Sequence, residues 1–231
     1  GMIHEFEILE RGQVEIACVE GLLAGFMPDF AASFLAEHGG LSLVVSAMGS
    51  QAVAEAVAEQ QVDLGILFGQ SPRRDLLELA TMSQPLCAIV SPHHPLARRR
   101  KCRLADIVAY RVVLPDRSFG IRQLVDRVSA AGRLELRTAL ETNTLAFAWR
   151  LVLRTDYVTF LPMDSVRAEV ADGRLVAVPL DDPLLRATRV TLVASASRTL
   201  SVAAERVVES LRLRMGGGAR RGARAAVARQ R

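Results

Sequence analysis

Short apolar segments alternate along this chain with longer segments in which apolar residues recur every three or four positions. The first such pair is an apolar run at 14–19 followed by Leu23, Met27, Phe30 and Phe34. A short apolar run bounded by small or polar residues is typical of a buried strand, and the longer spacing is typical of a helix with one buried face. The opening of the chain therefore predicts a strand followed by a helix.

The same alternation continues through the first third of the chain. It predicts strands at 13–19, 41–46 and 62–68 and helices at roughly 22–37 and 51–60, with Pro28 either in the opening turn of the first helix or at a kink. Alternating strands and helices predict a parallel α/β sheet. The helix N-termini of such a sheet gather at one edge, where they can bind a small polar ligand.

A second cycle of the same kind begins near Tyr110. It predicts strands at 111–114, 134–140, 157–161 and 175–180, and helices that begin near 121, 145 and 163, the first of them closed by Gly132. A final strand at 190–194 precedes a long amphipathic helix. Two similar cycles and a returning final unit predict two lobes around a cleft.

Composition narrows the classes of protein that fit. Half of the 231 residues are apolar, and no apolar run reaches the roughly 18–20 residues that cross a bilayer. Residues 1–5 are too polar and acidic for a secretory signal, and Gly1 resembles a residue left after tag cleavage. We therefore expect a cytoplasmic protein that has no membrane partner.

The positive net charge is concentrated at the C-terminus. Five arginines lie in the last 17 residues, and removing their charges from the formal net charge of +4 leaves −1. The rest of the chain is thus nearly neutral, which argues against a broad nucleic-acid-binding face. Because 216–218 are all glycine, we expect residues 215–231 to form a disordered basic tail. Such a tail is either solvated or in weak contact with nucleic acid.

No pattern in the sequence indicates a metal, a cofactor or a catalytic centre. Cys18, Cys87 and Cys102 form no C-x-x-C motif, so we expect reduced, buried thiols. The rings of the adjacent His93 and His94 would diverge, which disfavours a shared metal. No G-x-S-x-G, Walker, H-E-x-x-H or dinucleotide-binding glycine motif occurs. We expect no cofactor, no metal and no enzymatic activity.

Four stretches, in this order and at this spacing, resemble the effector-binding domain of LysR-type transcriptional regulators. They are Gly21-Leu22-Leu23 through Met27-Pro28, Val62-Asp63-Leu64-Gly65-Ile66, His94-Pro95-Leu96-Ala97 and Phe160-Leu161-Pro162. The resemblance extends from about Gln13 to Arg214 and covers nearly all of the predicted elements.

The resemblance implies an α/β fold of the type II periplasmic-binding-protein kind, with two Rossmann-like lobes joined by two crossing strands. Lobe I would comprise residues 13–84 and 189–214, and lobe II residues 85–188. Residues 1–12 would be the tag residue and the end of a linker helix. The winged helix-turn-helix reader that precedes this helix in the family would be missing.

The candidate ligand site consists of four loops that follow predicted strands. N–H groups at a helix start attract anions, each contributing about 0.3–1 kcal/mol at an exposed site, so a carboxylate-bearing metabolite is the expected ligand. Alternatively, Ser50, Ser118 and Thr142 only cap their own helices. The candidate ligand-binding residues are Glu20, Gly21, Gly49, Ser50, Gln51, Phe68, Ser118, Phe119, Asn143, Thr144 and Phe160.

Several of these residues permit more than one interpretation. Glu20 departs from the small hydroxyl residue of many family members, so it would repel an anion or recognise an amine, or else face solvent or pair with an arginine. Arg122 either supplies positive charge or lies on the surface. Phe68 and Phe160 either flank the cleft or belong to the core, and Asn143 suits orienting a carboxylate or hydroxyl.

The resemblance implies a sensor. A small-molecule effector would bind between the lobes of a homodimer or tetramer and change DNA binding, which the domain reaches only through the missing reader. The alternative is a solute-binding protein of a transport system with the same fold.

Overall fold

The computed structural model describes residues 12–71 and 73–228, with side chains described up to residue 216. Residues 1–11, nearly all of the segment predicted as the tag residue and the end of a linker helix, lie outside the described residues. The chain forms two compact units: the first contains residues 12–19, 26–83 and 189–228, and the second contains 20–25 and 84–188. Residues 20–25, which the sequence assigned to lobe I, thus pack within the second unit.

Ten strands and seven helices are described, together with short 3-10 turns at Glu20–Leu22, Pro95–Arg98, Leu104–Asp106 and Met163–Val166. The strands are β1 (Gly12–Cys18), β2 (Leu41–Ala47), β3 (Leu64–Phe68), β4 (Leu76–Ser83), β5 (Leu86–Val90), β6 (Arg111–Pro115), β7 (Arg137–Thr142), β8 (Thr159–Pro162), β9 (Val176–Pro179) and β10 (Arg189–Ser195). The helices are α1 (Phe26–Glu37), α2 (Ser50–Ala58), α3 (Gly120–Gly132), α4 (Leu145–Val152), α5 (Arg167–Ala171), α6 (Pro183–Arg186) and α7 (Val202–Ala228).

The first unit is built on a five-stranded sheet in the order β2-β1-β3-β10-β4. β1 pairs in parallel with β2 and with β3, whereas β10 is antiparallel to β3 and to β4. The predicted parallel arrangement is therefore correct for β1, β2 and β3, and β10 and β4 extend the sheet in antiparallel orientation. The carboxyl ends of β1, β2 and β3 lie at one edge, where the predicted loops begin.

Helix α2 packs directly onto β3, and Gly65 makes this contact possible. A Cβ atom at residue 65 would lie 2.7 Å from side-chain carbons of both Val53 and Val57. Val53, Val57 and Leu64 are fully buried. The absence of a side chain at Gly65 thus allows the helix to lie close to the sheet.

Helix α1 begins later than the sequence predicted. Residues 20–22 form a 3-10 turn, and the helix starts at Phe26, so that Pro28 lies in its opening turn as predicted. Phe30 and Phe34 are buried and their rings stack with centroids 5.3 Å apart. The predicted apolar stripe is therefore the face that packs into the core.

The second unit contains an antiparallel sheet, β8-β5-β9, and a separate parallel pair, β6-β7. A parallel bridge between Val112 and Val158 connects the pair to the segment just before β8. Helices α3 and α4 follow β6 and β7, so both begin at the carboxyl edge of the parallel pair. The left-handed residue that ends α3 is Arg133, with φ of 51°, and not the predicted Gly132.

Helix α7 continues past the point where the sequence predicted disorder. It extends to Ala228 and includes Gly216, Gly217 and Gly218. Glycine costs about 1 kcal/mol per residue in a helix interior relative to alanine, but it does not break a helix as proline does. The alanine- and arginine-rich residues that follow have high helix propensity, which offsets this cost.

Candidate ligand-binding site

The start of α2 is the candidate ligand-binding position in the first unit. The N-cap residue is Gly49, with extended backbone (φ −68°, ψ 155°) and no side-chain hydrogen bond to the helix. Ser50 does not cap this helix, because its Oγ instead accepts a hydrogen bond of 3.0 Å from the Phe68 N–H. Within the described residues, the first turn of α2 therefore has no side-chain cap.

Two further predicted residues lie beside this helix start. Phe68 ends β3 and is half-buried. Gln51 is exposed, and its amide donates to Glu55 Oε1 one turn along the helix at 2.9 Å. The structure thus brings Gly49, Ser50, Gln51 and Phe68 together at the carboxyl edge of the first sheet.

Thr191, which sequence analysis missed, supports the same edge. It is fully buried in β10, and its hydroxyl donates to the Gly69 carbonyl at 2.5 Å. Gly69 has φ of +85°, a conformation that favours glycine. The signal in the sequence was a lone threonine within the apolar run at 190–194.

In the second unit the two predicted loops lie side by side. The Asp116 N–H donates to the Thr142 carbonyl at 2.8 Å, immediately beyond the paired ends of β6 and β7. The Asp116 carboxylate accepts bonds from the Ser118 hydroxyl (2.6 Å) and N–H (2.9 Å). These bonds, the hydroxyl first, lower the pKa of Asp116. Ser118 therefore binds its neighbouring acid and does not cap α3.

Glu20 caps helix α4 in place of the predicted Thr142. Its Oε1 accepts hydrogen bonds from the Thr144 hydroxyl (2.9 Å) and from the N–H groups of Leu145 (2.9 Å) and Ala146 (3.3 Å). Thr144 is the N-cap residue but makes no side-chain cap bond of its own. Neither predicted alternative, exposure to solvent or pairing with an arginine, describes this carboxylate.

The turn that carries Glu20 is fixed by two contacts further along. Ser165, which is buried, donates its hydroxyl to the Gly21 carbonyl at 2.8 Å. At Gly25, an added Cβ atom would lie 2.7 Å from the main-chain oxygen of Asp164. Ser165 was missed by sequence analysis because nothing in the neighbouring sequence distinguishes this buried serine from a surface serine.

Arg122 is buried, contrary to the expectation of a surface residue. Its guanidinium donates to Glu141 Oε2 (2.6 Å), Asp126 Oδ1 (2.8 Å) and the Pro115 carbonyl (2.9 Å). Burial acts to lower the pKa of Arg122, but the bonds to Glu141 and Asp126 outweigh it and raise the pKa. Its positive charge is thus engaged within the unit, where it joins the end of β6 to β7.

The remaining predicted residues of this unit divide into exposed and buried groups. Phe160 is completely buried in β8, an edge strand of its sheet, and so belongs to the core and not to a cleft wall, the second of the two predicted alternatives. Phe119 is half-buried at the N-cap of α3, and Asn143 is exposed. The unit therefore brings together Glu20, Gly21, Ser118, Phe119, Asn143 and Thr144, but not Phe160.

The described residues contain no group of three or more His, Cys, Asp or Glu side chains suited to a metal ion. No helix in the described part of the chain is long and apolar enough to cross a membrane. Cys18, Cys87 and Cys102 are free and buried, and burial raises their pKa to about 12, 11 and 12 respectively. The prediction that these thiols are buried is confirmed.

Comparison with known proteins identifies the family. A family model described as the LysR substrate binding domain matches residues 8–216. The chain belongs to this LysR family. The RuBisCO operon transcriptional regulator of Allochromatium vinosum is 25% identical over 174 residues, which is 75% of this chain and 57% of that protein. The predicted resemblance is confirmed, and the relatives are regulators of transcription, a class that is not enzymatic.

Two solved structures show the fold of this LysR-family chain. The regulatory domain of Synechocystis PCC6803 CcmR, in complex with 2-PG, has a TM-score of 0.80 and 17% identity, covering 89% of this chain and 98% of that one. The effector-binding domain of QuiR, in complex with shikimate, has a TM-score of 0.76 and 16% identity, covering 90% and 98%. The predicted periplasmic-binding-protein-like fold is confirmed.

The chain spans about three fifths of the length of the first curated relatives that it matches.

Proposed function

We propose that this domain senses a small, carboxylate-bearing metabolite for a bacterial LysR-type transcription regulator in the cytoplasm. Family membership supports the sensing role, and the start of α2 supports the chemistry. Anionic groups are stabilised at helix N-termini by unpaired N–H groups and the helix dipole. In open α/β sheets, ligands bind beyond the carboxyl ends of the strands, which is where α2 begins.

The observation that carries this proposal is the uncapped first turn of α2. Its N-cap residue, Gly49, has no side chain to satisfy the first N–H groups. The Ser50 hydroxyl accepts from Phe68 and so has its own proton available for a ligand oxygen. We propose that Gly49, Ser50 and Gln51 bind the carboxylate and that Phe68 contacts the apolar body of the ligand.

In this proposal the second unit contributes polar ligand-binding groups from the loops at the carboxyl ends of β6 and β7. Asn143 is exposed and can both donate and accept, and Ser118 and Thr144 lie on the adjoining loops. A single cleft that joins the two edges around one ligand remains a prediction from the sequence. Ligand binding changes DNA binding only if the ligand prefers one arrangement of the regulator over another. Such coupling is typically about 1–3 kcal/mol.

The test is a thermal-shift screen with carboxylate metabolites, followed by calorimetric titration of each hit. We expect Ser50→Ala to weaken binding about tenfold, which corresponds to about 1.4 kcal/mol. The matched control is Ser42→Ala, at the opposite end of β2, which should bind like the parent. A saturating panel that stabilises nothing, or an S50A variant with unchanged affinity, would contradict the proposal.

We further propose that the domain forms homodimers through β2. This strand is at one end of the first sheet and exposes Val44 and Val45, each 37% exposed, and α1 exposes Leu35, 38% exposed. Apolar side chains on an edge strand favour association with a second chain. Light scattering after size exclusion should give twice the monomer mass for the parent. Val44→Lys should reduce this mass toward that of the monomer. A parent that remains monomeric at micromolar concentration would refute the proposed dimer.

A further inference from the structure

The start of α4 differs from that of α2 because a carboxylate of the chain already occupies it. One oxygen of Glu20, Oε1, accepts three hydrogen bonds there, two of them from the first main-chain N–H groups of the helix. No donor among residues 12–71 and 73–216 bonds to the other oxygen, Oε2. The side chain thus stands where the carboxylate of a ligand would bind, with one acceptor atom left over.

Contacts remote from the carboxylate hold Glu20 in this position. The Gly21 carbonyl accepts from the buried Ser165 hydroxyl, and Gly25 lies against Asp164 with no room for a side chain. Both contacts fix the backbone of residues 20–25 without involving the Glu20 side chain. Replacing that side chain should therefore vacate the helix start and leave the turn in place.

We propose that Glu20 determines which ligand charge the second unit accepts. It excludes carboxylate and phosphate groups from the start of α4, because a second anion at hydrogen-bonding distance would be repelled. Its Oε2 accepts a hydrogen bond from an ammonium or hydroxyl group of the ligand. This inference rests on the proposed function and narrows it: the ligand group that meets Glu20 is a donor and not an anion. With the single cleft predicted from the sequence, an amino acid or a hydroxy acid would fit better than a dicarboxylic acid.

The first test uses acetate as the probe and does not depend on the natural ligand. Thermal unfolding is followed while sodium acetate replaces sodium chloride at constant ionic strength. We expect acetate to raise the Tm of Glu20→Ala about 2 °C more than that of the parent, a shift typical of one anion bound at a helix start. Glu205→Ala, which removes an exposed acid from α7, should respond like the parent.

Glu20→Gln provides a second variant should the alanine protein be poorly folded. Glutamine keeps an acceptor oxygen for the α4 donors but removes the charge, so it should show no acetate response. For ligands, the parent should bind an amino or hydroxy acid at least tenfold more tightly than the matched dicarboxylic acid. In E20Q this preference should shrink about tenfold.

The outcomes separate the two proposals. An acetate response in E20A that does not exceed that of E205A would overturn the role of Glu20, as would equal affinity of the parent for the amino and dicarboxylic forms. Failure of every metabolite to bind the parent would instead count against the sensing function, whereas the acetate response of E20A reports on Glu20 alone.

Discussion

In both units a helix begins just after a parallel strand, but the N–H groups at the start of the helix have different partners. In the first unit the α2 start is left uncapped, because glycine occupies the N-cap and Ser50 bonds to β3. In the second unit the α4 start is filled by Glu20. Helix position alone therefore does not identify an anion site; the side chains that already use the N–H groups decide whether one is available.

The largest loss of stability is expected at Gly65, where the helix with the uncapped start, α2, packs closely against β3. Gly65→Ala should force α2 away from β3 and destabilise the protein by about 1–3 kcal/mol, as overpacked cores do. Urea unfolding measures the change. Hydrogen exchange should locate the loss of protection in α2 and the neighbouring strands, with the second unit unaffected. Equal loss in both units would show that the starts of α2 and α4 are not independent.

Acidification should lower the stability of the second unit selectively, and by less than Gly65→Ala lowers the stability of the protein. Burial lowers the pKa of His94, only partly offset by Asp156, and His94 Nδ1 accepts a 3.1 Å bond from the Leu96 N–H. A lowered folded-state pKa means that the stability contribution of His94 is present above the ordinary value of about 6.5 and is lost as the pH falls through the folded-state value.

Urea unfolding between pH 7.5 and 5 tests this expectation. His94→Asn keeps an acceptor for Leu96 but does not titrate in this range, so its stability should decrease less than that of the parent. Parallel pH profiles for the two proteins would exclude His94 as a source of acid sensitivity.

The smallest effect is expected far from the ligand edge, at the end of α3. Arg133 has φ of 51°, so Arg133→Gly should stabilise the second unit by roughly 0.5 kcal/mol. Thermal unfolding should detect a slightly higher Tm, while the acetate response and ligand preference stay unchanged. A changed preference would mean that unit stability, and not Glu20 itself, controls selectivity.

Most of the fold was predictable because apolar periodicity records which face of each element is buried. The run before Glu20, the stripe of Phe30 and Phe34 and the alternation at 41–68 all indicated the observed elements. The direction of β4 and β10 was not predictable, since a buried strand has the same apolar pattern whether its neighbour is parallel or antiparallel.

The candidate site was predictable only as loops. Loop position follows from the order of strands and helices, which is local in sequence. Hydrogen-bond partners are not: Glu20 and the α4 start are separated by more than 120 residues, and Ser165 by more than 140 from Gly21. A serine or threonine near a helix start fits either a helix cap or a ligand-binding group. In the folded chain the side chains of Ser50, Ser118 and Thr144 cap no helix.

The central position of β10 has a consequence for synthesis on the ribosome. This strand separates β3 from β4 in the first sheet, yet it follows them by more than 100 residues. At about 5–20 residues per second, the growing polypeptide exposes one backbone edge of β3 for on the order of ten seconds. An unpaired strand edge invites association with other nascent chains. All residues of the second unit have been synthesised by residue 188, whereas the sheet of the first unit cannot close until β10, at Arg189–Ser195, has followed.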